Sequence, residues 1–183
     1  MKIKYSLLLI IVLFTITSCS LSTNIGSKVD MYVSPSELTK KEIDLVSLFS
    51  GMSPYLFKYS ISENVKGANI NFTDYSDAYN PKTETLFGFI NHSGTLKGRI
   101  SILEGSNQIR IVSELDTGTA SIHKTLESDG LATRILFLNK PHKIVIGESI
   151  PLAVILQSKN MKIKEINQVD EFIKNPKLFE QYD

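Results

Sequence analysis

From Pro54 onward, apolar and polar residues alternate with a period of two. Tyr55, Phe57, Tyr59 and Ile61 oppose Leu56, Lys58, Ser60 and Ser62, the pattern of a half-buried strand. The segment Glu63 to Gly67 has turn chemistry, and Ala68, Ile70 and Phe72 then resume the alternation. Short strand-like runs recur near 85–91, 94–104, 108–115, 119–127, 130–138, 142–146 and 149–158. Each gap between them carries the Gly, Asn, Asp or Pro that a turn requires. Many short strands at this spacing predict a mainly β chain built as an antiparallel β-sandwich-like domain. Leu131 to Leu138 and Ile150 to Leu156 are apolar on both faces and read as central strands. In contrast, Leu96, Gly98, Ile100 and Ile102 against Thr95, Lys97, Arg99 and Ser101 give one dry face and one wet face.

The period lengthens before and after this β region. Leu38, Leu45, Val46 and Phe49 fall near helical spacing and Gly51 closes the run, which predicts an N-terminal amphipathic helix over about 35–50. Two start signals compete: Ser34-Pro35-Ser36-Glu37, and the capping-box spacing of Thr39 and Glu42. At the C-terminus, Asn167 and then Asn175-Pro176 mark short helical turns. The expected organisation is a tether over 19–33 and a single domain over 34–183, with the sandwich at about 54–166 and a C-terminal helical segment at about 168–182.

Residues 1–18 follow a different logic. Lys2 and Lys4 precede an unbroken apolar run from Leu7 to Phe14, and Ile16-Thr17-Ser18-Cys19 follows. The run falls short of the roughly 20 residues that span a bilayer as a helix, and it has the parts of a secretory signal. The last four residues resemble the lipobox of bacterial lipoproteins. That resemblance implies a diacylglyceryl group on the Cys19 thiol, cleavage before Cys19, and an N-terminus carrying acyl chains such as palmitate. It implies a place on the extracytoplasmic face of the cell membrane, or the outer membrane of a Gram-negative source, since Ser20 is not the aspartate of inner-membrane retention.

Composition narrows the function classes. The chain is 42% hydrophobic with nine Phe and seven Tyr, which suits a packed core. Loss of Lys2 and Lys4 with the signal would turn a formal charge of +1 into −1. A near-neutral chain gives no electrostatic footprint for nucleic acid. Cys19 is the one cysteine, so neither an internal disulfide nor a thiolate metal site can form.

The chemical motifs each have a plainer reading. Asp116-Thr117-Gly118-Thr119 resembles the catalytic loop of aspartic proteases, and Ile144-Val145-Ile146-Gly147 resembles their downstream glycine element. That mechanism needs two aspartates sharing a proton, and the chain has one such loop. Between two alternating runs the same residues suit a hairpin turn. His92-Ser93 is a turn rather than a nucleophile pair, and His123 and His142 have no sequence link to Asp116 or Asp129. Asn71, Asp74, Asp77 and Asn80, interleaved with Tyr75 and Tyr79, form the most polar loop. It lacks the order of a Ca²⁺ loop, and Tyr75, Tyr79, Asp74 and Asp77 are instead candidate partner contacts. The reading is therefore a membrane-anchored, non-catalytic binding module for a protein, peptide or cell-wall ligand, with no cofactor, no metal and no catalytic residues. The rivals are a hydrolase using Asp116 or a His–Asp pair, and an immunity or inhibitor lipoprotein.

Overall fold

The computed structural model describes residues 8–15, 31–63, 65–74, 81–92, 94–126, 132–158 and 169. The protein is mainly β, with two antiparallel sheets and one short helix. In chain order the elements are β1 (Leu8–Thr15), β2 (Tyr32–Ser36), α1 (Lys40–Ser50), β3 (Ser53–Ile61), β4 (Gly67–Asp74) and β5 (Lys82–Ile90). They continue with β6 (Leu96–Glu104), β7 (Gln108–Leu115), β8 (Gly118–Thr125), β9 (Ala132–Phe137), β10 (His142–Lys143) and β11 (Ser149–Ser158). One sheet has the order β5-β4-β1-β11-β9 and the other β10-β2-β3-β6-β7-β8.

The alternation read from the sequence becomes the core. Phe57, Tyr59 and Ile61 of β3, Ile100 and Ile102 of β6, and Ile109 and Ile111 of β7 are buried in one cluster with Ala68, Ile70, Ile150, Leu152 and Ile155 of the other sheet. Each fully buried side chain of this size contributes roughly 1.5–3 kcal/mol. Tyr55 of β3 and Phe137 of β9 stack across the two sheets with ring centroids 3.4 Å apart.

Strand β11 is buried along both faces, as its apolar run required. A bulge explains how its inward parity changes. Val12 pairs with Ala153 and Leu13 with Pro151, so Leu152 is the extra residue. Ile150 and Leu152 point inward before the bulge, and Ala153 and Ile155 after it. Strand β9 was expected to be central and is instead the edge of the five-stranded sheet. Thr133 and Arg134 sit in its first turns of pleat, and a strand with a polar, solvent-facing start tolerates an edge.

Helix α1 begins at Lys40, not at 35, because the second of the two start signals is the one used. Thr39 Oγ1 accepts the Glu42 N–H at 3.3 Å, and the Glu42 carboxylate accepts the Thr39 N–H at 2.8 Å. The Thr39 hydroxyl also donates to that carboxylate at 2.7 Å, and this bond, with the one from the Thr39 N–H, holds the Glu42 carboxyl below its ordinary value. The helix ends at Gly51, whose φ of 67° suits glycine and whose N–H donates to Ser47 O. Residues 32–36, read as tether and helix start, pair with β3 as strand β2. Beyond the single described residue Val169, helical and buried, the C-terminal segment at 168–182 lies outside the described residues.

Gly98 is a close-approach position. A Cβ there would stand 2.5 Å from Cζ of Tyr59 and 2.7 Å from the Glu114 carbonyl oxygen. One obstacle is backbone and the other a buried ring, so neither yields cheaply. Gly98→Ala is expected to destabilise the fold by about 2–3 kcal/mol. The thermal midpoint should fall by roughly 5–10 °C, which a calorimetric melt would read.

Candidate functional site

The residues that tempted a catalytic reading are held apart by the register of the six-stranded sheet. His142 pairs with Val33, Val33 with Tyr59, Tyr59 with Gly98, and Gly98 with Leu115. His142 therefore lies in the row that ends beside Asp116, but four strand spacings away, or roughly 19 Å. His123 sits opposite Arg110 on β8, five residues from the hairpin, or about 16 Å along the strand. Neither imidazole reaches the Asp116 carboxylate. Asp116 and Thr117 form the turn that joins β7 to β8, with Leu115 paired to Gly118, as the hairpin reading expects.

His92 lies just beyond β5, beside the buried Asn91. The buried Asn91 amide donates to the Ser62 carbonyl at 3.3 Å and to the Gly94 carbonyl at 3.1 Å. Gly94 has a φ of 81°, and His92 is exposed beside it. Ser93 and Asp129 lie outside the described residues.

The groove nearest Asp116 is polar and shallow, about 260 Å³, on the outer face of the six-stranded sheet. Lys58, Lys97 and Arg99 line it with Glu114, Asp116 and Tyr32. The sequence put Lys97 and Arg99 on one wet face, but only the register sets Lys58 and Glu114 on either side of Arg99. Arg99 and Glu114 form an ion pair at 3.9 Å with both side chains about half exposed, a pair that contributes little in water. Glu114 and Asp116 are two carboxylates in one groove, but neither is buried. An acid–base pair depends on environments that separate its two members. The groove suits loose contact with a zwitterionic or anionic group better than bond breaking.

Beneath this groove, Tyr59 closes the core. Burial pushes its phenol well above the ordinary value. At the far end of the sheet, burial raises the Glu104 carboxyl above its ordinary value. Burial also raises the Tyr55 phenol, and the Glu104 charge adds to that rise. For Glu104 the sign runs one way. The folded chain holds its proton above pH 4.5, where the unfolded chain releases it, so stability falls as pH rises through that window. Glu104→Gln is expected to remove this slope in midpoints measured from pH 4 upward by urea titration.

Of the candidate partner contacts, Asp74 ends β4 opposite Lys82, while Tyr75, Asp77 and Tyr79 belong to the β4–β5 connection outside the described residues. Among the described residues no three His, Cys, Asp or Glu side chains group as a metal site. No helix of the described residues is long and apolar enough to cross a membrane.

The N-terminal apolar run also has a place in the structure. Residues 8–15, expected as the hydrophobic part of a signal, form β1 between β4 and β11. Cys19 lies outside the described residues. Cleavage before Cys19 would remove a central strand of the five-stranded sheet.

No protein-family model matches the chain, and no curated protein or solved structure matches it either.

Proposed function

We propose that this protein is a lipid-anchored, extracytoplasmic β-sandwich that acts by binding rather than by catalysis. The observation that carries the reading is the ordered N-terminal sequence: two lysines, an apolar run too short to span as a helix, and Ile16-Thr17-Ser18-Cys19. A cysteine that is single in an exported chain is accounted for by that position. The binding half is supported by the separation of His142 and His123 from Asp116, so that neither imidazole is placed to act with that carboxylate. Its candidate contacts are the Asp74 to Tyr79 loop and the open groove around Arg99. The partner class is a protein, peptide or cell-wall component.

The test is the mass of the N-terminal peptide from protein purified out of its own membrane. Diacylglyceryl and acyl groups on Cys19 are the expected result. A peptide that still begins at Met1, or a bare thiol at position 19, would sink the reading.

A further inference from the structure

Helix α1 turns its most apolar stripe outward. Val46 and Ser47 are half-buried on the side packed toward β3, whereas no residue of the helix is fully buried. Leu45, Leu48 and Phe49 fall at i, i+3 and i+4 on the other side, with Leu48 77% and Phe49 85% exposed. A helix that serves only its own domain places such a stripe inward. At the far end of β2 from the helix, Tyr32, with Val145 and Ile146 just after β10, is also exposed. Among the described residues, Leu48 and Phe49 are the most exposed large apolar side chains.

Tyr32 opens β2, and Cys19 precedes it by thirteen positions. Whatever their conformation, those residues cannot carry Tyr32 more than about 45 Å from the anchored cysteine. Resting on the lipid-anchor reading, we infer that helix α1 lies on the lipid bilayer, with Leu45, Leu48 and Phe49 inserted at the headgroup boundary. Lys40 and Lys41 are offset by Glu42 and Asp44 on the same helix. The contact is therefore apolar rather than electrostatic, in the manner of an interfacial helix. The anchor supplies affinity, and the helix supplies orientation: α1 sits at the Ser36 and Ser53 ends of β2 and β3, so it turns the β7–β8 hairpin, level with the other end of β3, toward the surroundings.

The chain has no tryptophan, so Phe49→Trp installs a single reporter. At 85% exposure the substitution disturbs no packing. The full lipidated protein is reconstituted into phosphatidylglycerol–phosphatidylethanolamine vesicles with brominated acyl chains, and Thr119→Trp on β8 serves as the control. The expected result is a blue-shifted emission quenched at least twofold at position 49, with none at 119. A water-like, unquenched signal at 49 on protein whose Cys19 is shown by mass to be acylated overturns the inference and leaves the anchor reading standing. A blue shift without quenching means that a protein, including a second copy, covers the stripe, and this also overturns it. Unmodified Cys19 brings down the anchor reading itself, and the inference with it.

Discussion

Replacing Cys19 by serine is expected to move the processed protein almost wholly from the membrane to the soluble fraction. Serine offers no thiol for the diacylglyceryl group, so every acyl chain is lost together. Each buried CH₂ contributes about 0.8 kcal/mol, and one chain alone gives only reversible binding, near 10⁴ M⁻¹, whereas two or more anchor effectively permanently. What remains is the apolar stripe of α1. Its three side chains reach only the headgroup boundary, so each gains less than the roughly 1.5–3 kcal/mol of full burial, and the contact is reversible like that of a single acyl chain. Fractionation with mass analysis separates this outcome from the trivial one. An unprocessed chain can still sit in the membrane through Leu7 to Phe14, so only material beginning at or after position 19 counts. Processed Cys19→Ser protein that still sediments with membranes would show that something other than acyl chains holds it.

Some of this fold was legible because its chemistry is local. In β3, β6 and β7 apolar residues recur at every second position, and Phe57, Tyr59, Ile61, Ile100, Ile102, Ile109 and Ile111 proved buried. The helix was legible, but its start was not. Ser34–Glu37 and Thr39–Glu42 have the same capping spacing, and the choice was made by β2, whose pairing with β3 needs residues 32–36 extended. Pro35 is tolerated there because β10 covers only Tyr32 and Val33, so the rest of that side is a free edge. Strand order is not local. Nothing within Leu131 to Leu138 says that one of its sides lacks a neighbour. The same holds for the groove: alternation put Lys97 and Arg99 on a wet face, but their approach to Lys58 and Glu114 depends on register across three strands. An eight-residue apolar run is the hardest case, since a signal segment and a fully buried strand make the same pattern.

That ambiguity in β1 has a measurable consequence: the unprocessed chain should be more stable than the processed one, by on the order of 5 kcal/mol. Strand β1 makes eight Cα pairs with β11 and six with β4, and each cross-strand pair contributes roughly 0.2–1 kcal/mol. For a chain of this size the midpoint should differ by roughly 10–20 °C. Once residues 1–18 are gone, the facing edges of β4 and β11 lose their shared partner, and the amides of β11 that pointed to β1 should exchange with solvent faster. The two roles of the segment are separated in time. Leu8 pairs with Gln157, so β1 cannot dock until nearly the whole chain has been made, and such distant pairings form slowly. Through that interval the apolar run stays available for export, and docking becomes open to it only in chains that escape processing. Chemical denaturation and hydrogen exchange on both forms test the argument. Equal midpoints and equal protection across Ile150 to Gln157 would mean that β1 adds nothing to the sheet.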